Sequence, residues 1–173
     1  MGNPCVRLTT SAGPITIELY EKEAPTTVEN FLGYVRDGYY AGTVFHRVIP
    51  NFMIQGGGLD GSLMDKRAGQ RPPIRNEASN GLRNDAGTLA MARTSEPHSA
   101  TSQFFINVRN NDFLNKDRAQ DGVGYAVFGR IVEGMEVVRK IEQARTTSRG
   151  GHKDVPAETI SIVSAEVLPD RPS

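Results

Sequence analysis

Arg47 and Gln55 are the polar side chains best placed for chemistry, because they lie on either side of a predicted β-turn. Two β-like runs, residues 43–49 and 53–56, flank this turn. If the loop between them has three residues, Arg47 lies directly opposite Gln55 on the paired strands. A two-residue loop pairs Arg47 with Ile54 instead. Directly opposed residues share one face of a sheet, so the loop length decides whether the two polar groups meet.

Apolar side chains accompany this polar pair. With a three-residue loop at 50–52, Met53 shares the face of Arg47 and Gln55, and Phe52 lies at the turn. Such a face offers an apolar hollow beside two hydrogen-bonding groups. An arginine cannot act as a general base because its pKa is too high, so the parts of a hydrolase are missing. An exposed arginine on a solvated strand is an alternative that fits the pattern equally well.

A second segment combines a strand pattern with consecutive aromatic residues. The sequence GTLAMART covers residues 87–94, and SQFFIN covers residues 102–107. Successive side chains of a strand point to opposite faces, so the rings of Phe104 and Phe105 must separate. We expect one ring in the core and the other in the wall of a pocket.

Many short strands and two distant helices must position these residues. One helix begins near Pro25, with apolar residues at the i, i+3, i+4 and i+7 positions from Val28, and ends near Gly38. A second helix begins at 133–135, and residues 57–87 form a long loop of the kind that is usually functional. Two helices cannot cover both faces of a parallel sheet, so an antiparallel sheet or closed barrel is predicted. The predicted strands are 5–10, 14–20, 43–49, 53–56, 89–92, 103–107, 125–131 and 159–168.

Composition limits the classes of protein. The 20 Lys and Arg residues balance the 20 Asp and Glu residues, which disfavours a surface built for nucleic acid. One cysteine, Cys5, cannot form a disulfide within the chain, and no secretory signal or span of about 20 apolar residues is recognised. We therefore expect a cytoplasmic protein that does not bind membranes. Residues 1–173 are predicted to form a single domain, with a short loose tail at about 169–173.

Several longer motifs together resemble the cyclophilin family of peptidyl-prolyl cis-trans isomerases. The resemblance extends from about Val6 to Val167 and is strongest toward the bacterial cytoplasmic cyclophilins. It implies a mainly β fold, an eight-stranded antiparallel closed β-barrel capped by two α-helices. It also implies an enzyme that rotates X-Pro peptide bonds and assists protein folding as a chaperone. The motifs that carry it are FHRV at 45–48, FMIQGGG at 52–58, AMART at 90–94, PHSA at 97–100 and SQFFI at 102–106.

The resemblance also implies roles for individual residues. Arg47 matches the catalytic arginine, and Gln55 matches the amide that binds the substrate backbone. Ala92 and Arg93 match the stretch whose main chain holds the residue before proline, and Gln103 matches a supporting residue of the groove. No cofactor and no metal are implied. The residues that match the pocket for the proline ring are Phe52, Met53, Phe105 and Leu114.

Three positions depart from the eukaryotic cyclophilin pattern. Phe113 stands where that pattern has Trp, Tyr125 stands where it has His, and Arg93 replaces a shorter polar residue. We expect Arg93 to bias the choice of substrate. We assign Phe113 and Tyr125 to the substrate site. Phe lacks the indole hydrogen-bond donor, so cyclosporin binding is expected to be weak at best. The implied partners are proline-containing peptides and partly folded client proteins, and the implied state is a monomer.

Two rival functions remain at this point: a module that binds proline-containing segments with little turnover, and a barrel that carries a small apolar ligand. The presence of Arg47 argues against the first, because a module that only binds has little need of such a donor. The strands carry enough apolar side chains to fill the barrel interior, which argues against the second. His46 alternates away from Arg47 and is interpreted as a buried structural residue, whereas His98 and His152 are placed in loops. The glycines at 56–58 are interpreted as letting the strand leave the barrel sharply.

Overall fold

The computed structural model describes residues 2–169, so the part of the predicted tail beyond residue 169 lies outside the described residues. The strands are β1 (Cys5–Thr10), β2 (Gly13–Leu19), β3 (Thr43–Ile49), β4 (Met53–Asp60), β5 (Thr88–Met91), β6 (Phe104–Asn107), β7 (Val127–Glu133), β8 (Thr146–Arg149), β9 (His152–Pro156) and β10 (Ile162–Val167). Eight of them form one antiparallel sheet in the order β10-β1-β2-β7-β5-β6-β4-β3, and the other two form a separate hairpin, β8-β9. The helices are α1 (Pro25–Arg36) and α2 (Met135–Glu142).

The eight-stranded sheet curls into a nearly closed barrel. Its two outer strands, β3 and β10, meet through an isolated bridge between Val44 and Ser161. Beside the bridge, the amide of Phe45 donates to the carbonyl of Ile160 at 2.9 Å. Closure pairs strand edges that would otherwise be open to other chains. The predicted eight-stranded antiparallel barrel with two helices is confirmed. The contact that closes it, between β3 and the residues just before β10, is shorter than the pairing of the other neighbouring strands.

Side chains from both helices and from the strands fill one main core. Phe31 of α1 packs against Phe104 and Phe128, with ring centroids 5.6 and 5.2 Å apart. The apolar spacing that predicted α1 is confirmed, because all four of its apolar positions from Val28 to Val35 are buried. A filled interior disfavours the carrier hypothesis. Within residues 2–169, α1 has 12 residues and no helix is long and apolar enough to cross a bilayer.

Two features of β4 and its surroundings differ from the prediction. The glycines at 56–58 do not end the strand, which continues to Asp60; a Cβ at Gly56 would lie only 2.7 Å from the carbonyl oxygen of Val44. Glycine is therefore required there for close approach of the backbones. The β8–β9 hairpin was not predicted, because TTSR in β8 has no apolar alternation. It is nevertheless held to the barrel, where Val155 packs in a small cluster with Val44 and two leucines.

His46 of β3 is buried beneath this hairpin, as its alternation with Arg47 predicted. Its ring lies 5.9 Å from the ring of His152, which begins β9 and is not in a loop. Burial lowers the pKa of His46 to about 4, and the nearby charges of His152 and Arg47 act in the same direction, whereas Asp65 opposes them. His46 is therefore neutral in the folded protein at pH 7.

Acidification should destabilise the fold through His46. Because its pKa is lowered, His46 binds a proton near pH 6.5 in the unfolded chain but only near pH 4 in the folded chain. Stability from this group is present above the unfolded pKa of 6.5, and about 2 kcal/mol of it should be lost as the pH falls from about 6.5 to 4.5. Urea unfolding across this range should give a flatter pH dependence for His46→Phe than for the wild type.

The comparison variant is His98→Phe, which removes an exposed histidine whose Nδ1 accepts a hydrogen bond from the amide of Asn76 at 3.0 Å. This variant should keep the larger part of the wild-type dependence of unfolding free energy on pH, because the burial that acts on His46 is absent at His98. Equal pH dependence in the wild type and in His46→Phe would contradict the assignment of a buried neutral histidine.

Candidate active site

The β3–β4 hairpin places Arg47 beside Gln55. The paired residues are Arg47 with Gln55 and Ile49 with Met53, so the loop between the strands is 50–52. The three-residue loop is therefore confirmed, and the alternative pairing with Ile54 is wrong. The turn closes with a hydrogen bond of 3.1 Å from the amide of residue 52 to the carbonyl of Ile49.

Three hydrogen bonds from outside the hairpin fix this turn. Glu142 of α2 accepts a hydrogen bond through Oε2 from the amide of Asn51 at 2.8 Å. Asn111 Nδ2 donates to the carbonyl of Phe52 at 2.8 Å, and the amide of Val108 donates to the same carbonyl at 3.1 Å. The turn that carries Phe52 is thus attached both to a helix and to the loop after β6.

Beside the hairpin lies a depression, here called the central hollow. Met53 and Phe105 are buried in its floor, and they belong to an apolar cluster separate from the main core. Phe104 joins the main core instead, so the predicted separation of the two rings is confirmed. The residues that line the central hollow are Arg47, Phe52, Met53, Gln55, Ala92, Arg93, Phe105, Leu114 and Tyr125.

Polar groups form one edge of the central hollow. Arg47 is exposed, and its Nη1 donates to Oε1 of Gln55 over a long distance of 3.4 Å. Gln55 Nε2 in turn donates to Oε1 of Gln103 at 3.0 Å. Gln103 does not line the central hollow. It lines a neighbouring side hollow, formed by Gln55, Ala92, Arg93, Thr94, Ser99, Thr101 and Gln103.

Phe113 and Arg93 take positions that the sequence did not specify. Phe113 is 57% exposed and lies outside the lining of the central hollow, with its ring 5.6 Å from that of Phe52 at an interplanar angle of 30°. The side chain of Arg93 is only 2% exposed and pairs with Asp121 at 2.7 Å. The charge of Arg93 is therefore directed toward the 115–124 loop.

Four buried asparagines support the site, and the sequence analysis missed them. Asn107 Nδ2 donates to Oδ1 of Asn84 at 3.1 Å, and Asn111 Nδ2 donates to Oδ1 of Asn107 at 2.8 Å. Asn115 Oδ1 accepts from the amide of Asn84 at 2.6 Å. These residues come from loops and strand ends without any periodicity, so no pattern marked them. Their concentration near predicted pocket residues was the one available signal.

The chemistry of the central hollow is that of binding and hydrogen bonding. Its lining contains no carboxylate, thiol or imidazole that could act as nucleophile or base. Among residues 2–169, no group of three or more His, Cys, Asp or Glu residues is arranged to hold a metal ion. A compact apolar ring fits the floor, and Arg47 can donate a hydrogen bond from the edge. The fold and site define a β-barrel protein with an apolar hollow that is bordered by an exposed cation.

Comparison with known proteins identifies the family. The family model described as cyclophilin type peptidyl-prolyl cis-trans isomerase matches residues 5–167. Peptidyl-prolyl cis-trans isomerase cyp18 of Streptomyces antibioticus is 57% identical over 164 residues, covering 94% of this chain and 98% of that protein. Peptidyl-prolyl cis-trans isomerase B of Escherichia coli is 53% identical over 159 residues, covering 91% and 96%.

Solved structures agree with the sequence relatives. A Cryptosporidium parvum cyclophilin type peptidyl-prolyl cis-trans isomerase, crystallised in the presence of the dipeptide Ala-Pro, superposes with a TM-score of 0.76 at 29% identity. The match covers 96% of this chain and 99% of that one. The chain belongs to the cyclophilin-type peptidyl-prolyl cis-trans isomerases, and it is an enzyme that interconverts the cis and trans forms of X-Pro bonds.

Removing the amide of Asn111 should weaken the site and the fold together. Asn111→Ala deletes one donor to the carbonyl of Phe52 and leaves Oδ1 of Asn107 without that buried partner. We expect the free energy of unfolding, measured with urea, to fall by about 1–3 kcal/mol. The Michaelis constant for an X-Pro peptide should rise because the turn is less firmly held.

The neighbouring Asn110 provides the control. Its side chain is exposed and accepts a hydrogen bond from the amide of Ala86, which water can replace. Asn110→Ala should therefore cost clearly less stability than Asn111→Ala. Equal losses in the two variants would refute the supporting role of the buried asparagines.

Proposed function

We propose that Arg47 catalyses rotation of the X-Pro bond by stabilising its twisted transition state. Resonance gives the peptide C–N bond partial double-bond character, with a barrier of about 18–20 kcal/mol. Twisting the bond removes the resonance and returns the lone pair to the proline nitrogen. A guanidinium N–H can then donate to that nitrogen, which is no acceptor in the planar ground state. This is preferential binding of the transition state.

The observation that carries the proposal is the register of the β3–β4 hairpin. It places an exposed guanidinium directly opposite Gln55 and next to an apolar floor made by Met53 and Phe105. A proline ring on this floor lies with its nitrogen toward the polar edge. We assign contact with the proline ring to Phe52, Met53, Phe105 and Leu114, with Tyr125 in the adjoining wall and Phe113 beside Phe52, outside the lining.

We assign contact with the substrate backbone to Gln55, on the same polar edge as Arg47, and to the stretch at Ala92 and Arg93. We assign a hydrogen bond to the substrate to Gln55, whose amide is oriented by Gln103. The amide of Ala92 already donates to the carbonyl of Gln103 at 3.0 Å. We therefore assign the hydrogen bonds between this stretch and the substrate to the remaining main-chain groups of Ala92 and Arg93.

The magnitudes require several effects at once. A millionfold acceleration needs about 8 kcal/mol, at about 1.4 kcal/mol for each factor of ten. One preorganised donor typically supplies about 10²- to 10³-fold. Clamping of the backbone and exclusion of water by the apolar floor must supply the remainder. No bond is broken during rotation, so the proposed mechanism uses no nucleophile and no cofactor.

We further propose a cytoplasmic, monomeric enzyme that assists the folding of proline-containing clients and does not bind nucleic acid or membranes. The balanced charge and the single cysteine of the sequence support this proposal. One main core joins residues from β1 to β10, which supports a single domain over residues 1–173. Phe113 has no indole donor, so we propose that cyclosporin binds weakly. Light scattering tests the monomer, and titration with the drug tests the weak binding.

Replacing Arg47 should abolish most of the activity and leave the fold intact. Arg47→Ala removes the donor and should lower kcat/KM for a short X-Pro peptide by at least about 100-fold. Arg47→Lys should be nearly as damaging, because an ammonium lacks the rigid planar donors of a guanidinium. The unfolding temperature should hardly change, since Arg47 is exposed.

Arg67→Ala serves as the control, because Arg67 is exposed and its guanidinium lies 3.9 Å from the carboxylate of Asp65, far from the tight geometry of a strong ion pair. It removes the same charge from the protein, and its activity should equal that of the wild type. Full activity in Arg47→Ala would disprove the mechanism.

A further inference from the structure

The Arg93–Asp121 ion pair adjoins the central hollow, and the rotation mechanism makes no use of it. We propose that this ion pair determines specificity: it fixes one wall of the hollow and cancels a positive charge near the substrate residue that precedes proline. The enzyme then accepts acidic and basic residues at that position alike. The inference rests on the proposed function, because it assumes a peptide bound along residues 92–93.

Arg93 is held by several contacts at once. Its Nη2 donates to Oδ2 of Asp121 at 2.7 Å and to the carbonyl of Gly124 at 2.8 Å, and its Nη1 donates to the carbonyl of Thr94 at 3.0 Å. Its Cζ lies 4.3 Å from the centre of the Tyr125 ring. A side chain that is 2% exposed and bonded in this way has no freedom to turn toward a ligand.

These contacts connect the 115–124 loop to the wall of the central hollow. Asp121 Oδ1 accepts from the amides of Val123 and Gly124 at 2.9 and 3.1 Å, so one carboxylate both shapes the loop end and binds Arg93. Tyr125 follows directly, and its ring meets that of Phe105 edge-on at 5.7 Å. The position of this ring in the wall is therefore coupled to the ion pair.

The Arg93–Asp121 ion pair also determines the net charge beside the two hollows. Arg93 lines both the central hollow and the side hollow, so an uncompensated guanidinium there would act on a peptide in either one. The hydrogen bond from Arg93 and those from two backbone amides lower the pKa of Asp121 to about 2. Asp121 is thus ionised throughout the neutral range, and the compensation is permanent.

Asp121→Asn tests the inference, because it keeps the size of the side chain, removes its charge and replaces the Oδ2 acceptor of Arg93 with an amide donor. We measure kcat/KM for two short peptides that differ in having Glu or Lys before proline. The Glu-to-Lys ratio is kcat/KM for the Glu peptide divided by kcat/KM for the Lys peptide. In Asp121→Asn this ratio should be about 3- to 10-fold higher than in the wild type at low salt, and the difference should shrink in about 1 M salt. Any bias from Arg47 is common to both enzymes and cancels in this comparison.

Two further variants separate charge from mere support of the loop. The double variant Arg93→Gln/Asp121→Asn has lost both charges, and its ratio should return to the wild-type value. Arg93→Gln alone leaves Asp121 as the excess charge and should shift the ratio toward Lys. A purely structural role predicts neither the return nor the reversal of sign.

Asp117→Asn is the matched control. Asp117 belongs to the same loop but pairs with Arg83 at 3.7 Å and lines neither hollow, so the ratio should not change. An Asp121→Asn enzyme that is folded, active and unchanged in its ratio would overturn the inference. A wild type without isomerase activity, or a fully active Arg47→Ala, would overturn the proposed function instead.

Discussion

The pairing of Arg47 with Gln55 across β3 and β4 is the constraint on which the site depends. A slip of one residue would move every side chain of β4 to the opposite face, so that Gln55 would leave the hollow and Ile54 would enter it. The register is fixed by the three-residue loop and by buried Ile54, which belongs to the main core. Hydrogen bonds from Asn111 and Glu142 then fix the turn itself. The proposed catalytic geometry is thus a consequence of core packing and strand register.

Side chains that alternate along a strand divide the residues that stabilise the barrel from the residues that line the central hollow. Phe104 packs against α1 in the main core, whereas Phe105, the next residue, forms the floor of the central hollow. Both rings belong to β6, between β4 and β5, so the hollow rests on an interior strand of the sheet. A rigid floor suits a reaction in which one part of the substrate must be held while another rotates. The loops supply the remaining walls.

Much of the fold followed from the sequence, because apolar periodicity marked α1 and the barrel strands. The hairpin register followed from turn chemistry, but only after one of two loop lengths was chosen. The β8–β9 hairpin escaped prediction since its stability comes from contacts such as that of Val155 with the barrel, which no local pattern encodes. Arg93 illustrates the same limit: the sequence placed it at the site, whereas its pairing with Asp121 depends on a loop 28 residues further along the chain.

Nuclear magnetic resonance exchange spectroscopy on an X-Pro peptide tests the central claim most directly, because it measures binding and bond rotation in one sample. The account predicts that Arg47→Ala binds the peptide with an affinity within a few-fold of the wild type, while exchange between the cis and trans signals falls close to the uncatalysed rate. Binding and exchange would then be separated by one side chain that acts only in the twisted state. Retained exchange in Arg47→Ala, or loss of exchange in strict proportion to loss of binding, would contradict it.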